Sequence, residues 1–161
     1  MENKLPKRKP NRLENFDYGA GYSYFITICT KDRAQILSRI VGEDIILPQN
    51  TVKLTPIGQI VEEAILSIQK HYEDVFLEQY VIMPNHIHLI LTIVNNGRII
   101  SSPTIPIIVG QLKRHASKKS GVSLWQRSYY DHIVRNKTDY DEISKYIYEN
   151  PSNWETDEFY N

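Results

Sequence analysis

What most constrains this chain is the order in which its apolar pattern switches between a period of two and a period of about 3.6. Tyr22 to Thr30 (YSYFITICT) is β-branched and aromatic, the composition of a strand. Residues 31–54 admit short strands at Ile45–Leu47 and Val52–Leu54. Thr55 can cap a helix, and Pro56 suits its first turn. Ile57, Ile60, Val61, Ala64, Ile65 and Ile68 then fall on one helical face, and the helix ends near His71-Tyr72. Val75 to Met83 and His86 to Val94 read as two strands joined by a tight turn at Pro84-Asn85, with Asn95-Asn96-Gly97 closing the second. A second helix is expected from about Pro106 to Lys119, burying Ile108, Val109, Leu112 and Ala116. Residues 126–135 (QRSYYDHIVR) read as a last strand. Thr138 with Asp141 resembles a capping box opening a third helix, which must stop near Asn150 because Pro151 disfavours helical geometry before it. The first six elements follow the βαββαβ order of ferredoxin-like α+β folds, which predicts an antiparallel sheet with helices on one face and the other face open.

The chain has 161 residues, enough for one domain over residues 21–161, preceded by a basic arm at residues 1–20. No apolar run reaches transmembrane length, and the Lys/Arg-rich start lacks the apolar stretch of a signal peptide. A cytoplasmic protein with no membrane partner is therefore expected. A single cysteine, Cys29, excludes an internal disulfide and a cysteine-based metal cluster, and its apolar surroundings predict a buried thiol. Net charge is zero but uneven. Lys4, Lys7, Arg8, Lys9 and Arg12 crowd the arm, and Lys113, Arg114, Lys118, Lys119, Arg127, Arg135 and Lys137 are opposed only by Asp131 in their stretch. Acidic residues gather in the first helix and at Glu155, Asp157 and Glu158. Phosphate binding responds to local potential, so the neutral average does not exclude a nucleic-acid partner.

The segment Met83-Pro84-Asn85-His86-Ile87-His88-Leu89-Ile90-Leu91 carries the chemistry. Strand parity sends Ile87, Leu89, Leu91 and Ile93 to the core, and His86, His88, Ile90 and Thr92 to the opposite face. Two imidazoles two residues apart project in parallel, a spacing suited to one metal ion, although the same pair also fits a zinc site or two surface histidines. In the third helix Tyr140, Ile143 and Ile147 make the buried stripe, while Tyr146 and Asn150 lie one turn apart on a neighbouring face. Asn150 stands at the helix C-terminus, where the dipole favours a cation.

With these residues in place the chain resembles the single-tyrosine HUH transposases (IS200-like transposases), and within them the REP-associated tyrosine transposases. The landmarks are Tyr80 to His88, Trp125-Gln126, Tyr130-Asp131-His132-Ile133-Val134-Arg135-Asn136, Asp139-Tyr140, and Tyr146-Ile147-Tyr148-Glu149-Asn150-Pro151. A His-x-His pair followed in this order by Asp-His-x-x-Arg and Tyr-Ile-x-x-Asn-Pro is far more specific than the pair alone.

The resemblance implies a metal-dependent single-strand DNA endonuclease and strand transferase, working on hairpin or repeat DNA as a monomer or homodimer. His86 and His88 would be metal ligands with Asn150 as the third, the ion being Mg²⁺ or Mn²⁺, and Tyr146 would be the nucleophile that forms a 5′-phosphotyrosine. Asp131, His132 and Arg135 match a family signature and are assigned to DNA contact or site support. Lys113, Arg114, Lys118 and Arg127 are expected along the DNA backbone. Tyr129, Tyr130 and Trp125 are candidate stacking groups, with core packing the competing reading for Trp125. Two other readings stand beside this one: a non-catalytic single-stranded nucleic-acid-binding module of the same fold, and a zinc hydrolase using water as nucleophile.

Overall fold

The computed structural model describes residues 21–42, 51–94 and 103–161. The N-terminal arm, the Ile45–Leu47 segment and the Asn95-Asn96-Gly97 turn lie outside the described residues. In chain order the elements are β1 (Tyr22–Cys29), β2 (Ser38–Val41), β3 (Thr51–Leu54), α1 (Pro56–His71), β4 (Val75–Ile82), β5 (His86–Ile93), α2 (Ile105–Ser120), β6 (Tyr130–Ile133) and α3 (Lys137–Glu149), with one-turn 3₁₀ helices at Lys31–Arg33 and Trp154–Thr156. The main sheet has the order β4-β5-β1-β6, and every pairing in it is antiparallel. This is the expected ferredoxin-like arrangement, with the β2–β3 hairpin added before α1.

Alternation along the strands divides the sheet into two layers. Ile26 and Ile28 of β1 pair across with Leu89 and Ile87 of β5, and all four are fully buried against α1 and α2. The helices supply Val61, Ala64, Ile65 and Ile68 from α1, and Ile108, Val109, Leu112 and Ala116 from α2. Each fully buried aliphatic side chain contributes roughly 1.5–3 kcal/mol to folding, so this layer carries most of the stability.

The opposite face departs from expectation. It is not open at the β4–β5–β1 end: Ile90 and both histidines of β5 are buried, and so is Ile147 of α3. The physical reason is α3 itself, whose apolar stripe needs a partner. Gln79 of β4 anchors the helix across this face, its amide donating to the Ser144 carbonyl (3.1 Å) and accepting from the Ser144 hydroxyl (2.7 Å). The cap of α3 also differs from expectation. Asn136, not Thr138, caps the helix by accepting from the Asp139 N–H, while Asp141 pairs with Lys137 one turn away. Thr138 is already inside the first turn, so its hydroxyl is past the capping position.

One close approach ties the helix layer to the turn before β5. Thr55 caps α1 as predicted, accepting from the Gly58 N–H. Its own hydroxyl and N–H donate to the carbonyls of Ile36 and Leu37. Leu37 in turn donates its N–H to the Pro84 carbonyl (3.0 Å). A Cβ on Gly58 would sit 1.9 Å from the Leu37 carbonyl oxygen, so only glycine lets α1 seat this segment. Gly58→Ala is expected to cost about 1–3 kcal/mol through forced displacement of the backbone. Urea unfolding should show a lower midpoint at unchanged slope. An unchanged midpoint would mean that the Leu37 segment yields freely.

Candidate active site

The β4–β5 turn is held at each carbonyl that could let it drift. Met83 N–H donates to the His86 carbonyl (2.9 Å), Thr30 donates to the Asn85 carbonyl through both N–H (2.9 Å) and hydroxyl (3.0 Å), and Leu37 holds Pro84. The strand therefore starts in a fixed register, and Cys29 and Thr27 of β1 face His86 and His88.

Each histidine has an outer partner on Nδ1. The Asn85 amide donates Nδ2–H to the Phe159 carbonyl (2.7 Å), which turns its Oδ1 towards His86 Nδ1 (2.9 Å). An amide oxygen only accepts, so His86 Nδ1 carries the proton and Nε2 presents a lone pair. His88 Nδ1 lies 2.8 Å from the Thr27 hydroxyl, which can donate or accept. The two Nε2 atoms face each other at 3.0 Å. Without a cation that contact requires a proton on His88 Nε2. Turning the Thr27 hydroxyl to accept moves the proton to Nδ1 and aims two lone pairs at one point. With metal–nitrogen bonds of about 2.1 Å and angles between 90° and 110°, adjacent ligand nitrogens sit about 3.0–3.4 Å apart.

His86 is 0 % exposed and His88 is 1 % exposed. Burial drives the His86 imidazole down to about 4, with Arg33 acting in the same sense and Asp157 and Asn150 opposing. Burial, then the neighbouring His86, holds His88 well below the usual histidine range. Both are neutral near pH 7, the state a metal ligand requires. Among the described residues no three His, Cys, Asp or Glu side chains gather as a ligand set, so a third protein donor must be of another type. Asn150 provides it. Its Oδ1 is buried without a hydrogen-bond partner, while its Nδ2 donates to an Asp157 carboxylate oxygen.

Tyr146 stands one turn before Asn150 and is 39 % exposed. Its ring meets His88 edge-on with centroids 5.3 Å apart, and Phe25 at 6.2 Å. The phenol is pushed up to about 12 by partial burial, with the Asp157 and Glu158 charges adding and Asn150 opposing. It opens into a cleft of about 230 Å³ lined by Tyr146, Asn150, Asn153, Thr156, Asp157 and Glu158. Two carboxylates and no cationic side chain line that cleft.

The other nominated residues divide by sheet face. His132 pairs with Phe25 across β6–β1 and so lies on the histidine face, where its Nε2 is 2.9 Å from Asp139 Oδ2. The same carboxylate oxygen accepts the Arg135 N–H (3.0 Å), which, with His132 next, holds Asp139 below the usual carboxylate range. His132 thereby ties the first turn of α3 to β6. Asp131 pairs with Ile26 and faces the helix layer. Lys113, Arg114 and Lys118 lie on α2, on the sheet side away from the histidines. Lys113 donates to the Gln126 and Ser128 carbonyls (2.8 and 2.9 Å) and so staples the loop that carries exposed Arg127. Trp125 is part of the core, and Tyr130 is exposed on the histidine face. Cys29 is half-buried, and burial pushes its thiol up.

Residues outside the sequence nominations complete the site. Thr27 and Asn85 orient the histidines, and the Phe159 ring lies 4.5 Å from that of His86. Asp157 holds Asn150. Asn85 adjoins the His pair in sequence, but Thr27 is assignable only from strand register, and Asp157 carried no signal beyond its place in an acidic tail.

A family model described as "Transposase IS200 like" matches residues 20–150. The chain belongs to the IS200-like transposase family. A protein of Haemophilus influenzae described as uncharacterized is 31 % identical over 174 residues, spanning 95 % of this chain and 93 % of its own. Two solved structures are similar in fold. One is a REP-associated tyrosine transposase bound to a REP hairpin, with TM-score 0.63, 22 % identity, and coverage of 84 % of this chain and 69 % of that one. The other is a candidate transposase from Deinococcus radiodurans, with TM-score 0.51, 18 % identity, and coverage of 86 % and 97 %. Among the described residues no helix of this transposase-family chain is long and apolar enough to cross a membrane.

The buried neutral histidines make stability pH-dependent. The unfolded chain binds their protons near pH 6.5, whereas folded His86 resists until about pH 4. The unfolded state therefore holds more protons between these limits, and stability falls as pH is lowered through the window, on the order of 3 kcal/mol for His86 alone. Urea midpoints measured at steps from pH 7 to pH 4.5 should decline steadily. A flat profile would contradict burial of neutral imidazoles.

Proposed function

We propose that this IS200-like transposase is a divalent-metal-dependent enzyme that nicks and joins single-stranded DNA beside a hairpin, with Tyr146 as nucleophile. The observation that carries the reading is the facing pair of His86 Nε2 and His88 Nε2 with the buried Asn150 amide against His86, beside a half-exposed tyrosine. The hairpin substrate class comes from the solved relative bound to a REP hairpin.

Electrostatics favour metal dependence. A phosphodiester entering the cleft meets Asp157 and Glu158, and like charges repel it. His86, His88 and Asn150 would hold the ion; two nitrogens and one oxygen suit Mn²⁺, with Mg²⁺ the alternative despite its preference for oxygen. When bound, the ion supplies positive charge at the phosphate and polarises phosphorus.

The protein's own groups do the rest. Helix α3 orients the Tyr146 phenol beside the two histidines, and the phenol, pushed up to about 12, enters the step protonated. In the step a Tyr Oη–P bond forms, the P–O3′ bond breaks, and the Tyr146 proton passes, net and through solvent, to the leaving 3′ oxygen. The leaving strand ends in a 3′-OH, and the protein carries a 5′-phosphotyrosine. The total number of phosphoester bonds is unchanged, so a 3′-OH can reverse the step and join a new strand without ATP. Exposed Tyr130 on the same face offers a ring on which an unpaired base can stack.

The test uses labelled single strands carrying hairpins from the gene's own flanks, incubated with the full chain and Mn²⁺ and resolved on a denaturing gel. The wild type is expected to form a covalent adduct that chelator abolishes. Tyr146→Phe should reduce the adduct to background while retaining hairpin binding, whereas Tyr148→Phe should leave it near wild type. Cleavage without an adduct would indicate water as nucleophile. Binding without cleavage under any divalent ion would indicate a binding module.

A further inference from the structure

We infer that Asp157 is a positioning residue whose carboxylate locks the Asn150 amide so that Oδ1, and not the NH₂ group, faces the two histidine nitrogens. The inference rests on the metal-site reading above. It concerns a residue outside α3, seven positions after Asn150.

An asparagine amide is nearly symmetric in shape but opposite in chemistry at its two ends. Turned by 180°, Asn150 would offer N–H donors to a cation and cancel its own role as ligand. Within α3 the Tyr146 hydroxyl also interacts with this amide, but a hydroxyl can donate or accept and so does not fix which end faces which way. Asp157 does, because a carboxylate only accepts and can therefore take only the NH₂ end. The Asn150 Nδ2 donates to Asp157 Oδ2, which leaves Oδ1 buried and without a partner. Asp157 is itself fixed: its Oδ1 accepts the Phe159 N–H (2.7 Å), and its backbone N–H donates to the Trp154 carbonyl (3.0 Å). Both carboxylate oxygens are thus engaged, one on the ligand and one on the tail.

The same logic governs the other two donors. Asn85 fixes His86 and Thr27 fixes His88, each through the atom that does not face the shared point. Asp157 completes the set by giving Asn150 its outer partner. Outer partners of this kind typically alter metal affinity 10–100-fold when removed. The tail also seats Asn85 through the Phe159 carbonyl, so the chain after Asn150 holds two of the three donors in register.

The experiment is a Mn²⁺ titration of the full chain without DNA, read from loss of the free-ion electron paramagnetic resonance signal. It covers wild type, Asp157→Ala, Asn150→Ala and the double variant. Asp157→Ala should weaken Mn²⁺ binding about 10–100-fold. On the Asn150→Ala background the same change should have no further effect, because Asp157 acts through Asn150. Asp157→Asn can satisfy only one of the two donors that Asp157 accepts, so it should fall between wild type and Asp157→Ala; it also serves as the reading if the alanine variant does not fold. Undiminished binding by Asp157→Ala would overturn the inference. So would an equal loss on both backgrounds, since the carboxylate would then act by charge or by tail packing. Failure of the wild type to take up Mn²⁺ would remove the metal site itself, a result distinct from either of these.

Discussion

Two imidazole nitrogens facing each other at 3.0 Å inside a buried layer are the constraint around which this molecule is arranged. Neither ring can ionise cheaply there, so without a cation one Nε2 must carry the proton that bridges the pair. The rings are held from behind by Asn85 and by Thr27, and those partners are held in turn by the tail and by the register of β1 on β5. Parity along β5 sends the histidines away from the aliphatic core, so the main core and the site form on opposite sides of one sheet and share only its backbone.

A tyrosine on a separate helix reaches this pair by a route pinned at two points. The chain leaves β6 through a hydrogen-bonded corner in which the Asp139 carboxylate accepts from His132 and from the Arg135 N–H, and Asn136 caps the helix. Gln79 then fixes the middle of α3 to the sheet edge. Tyr146 and Asn150 follow as successive turns of a helix already pinned at two points. Of the Asp-His-x-x-Arg signature, the His132 side chain has a structural meaning here: through Asp139 it helps set the start of the helix that bears the tyrosine.

Much of this was legible in the residues alone. The stripe of Ile60, Val61, Ala64, Ile65 and Ile68 with Thr55 and Pro56 before it specifies α1, and period-two alternation places His86 and His88 on the face away from the core. Local patterns of this kind depend on neighbours in sequence. What was not legible depends on partners distant in sequence. The cap at Asn136 was not legible because Thr138 also suits a cap by residue type, and only the β6 exit decides that Asn136 takes it. Burial of the histidine face could not be read from β5, because its cover comes from α3 and from Trp154 and Phe159. The basic run at residues 113–119 gave charge but not position: α2 packs on the side of the sheet away from the histidines, and Lys113 donates to loop carbonyls. Asp157 had no pattern at all around it, since its role exists only once the tail folds back.

The central claim is that His86, His88 and Asn150 together hold one divalent ion beside Tyr146. Anomalous diffraction from crystals grown with Mn²⁺, collected at the manganese edge, tests it most directly. The account predicts one strong peak within about 2.5 Å of both Nε2 atoms and of Asn150 Oδ1. A peak seated instead between the Asp157 and Glu158 carboxylates, with the two imidazoles still in mutual contact, would contradict it.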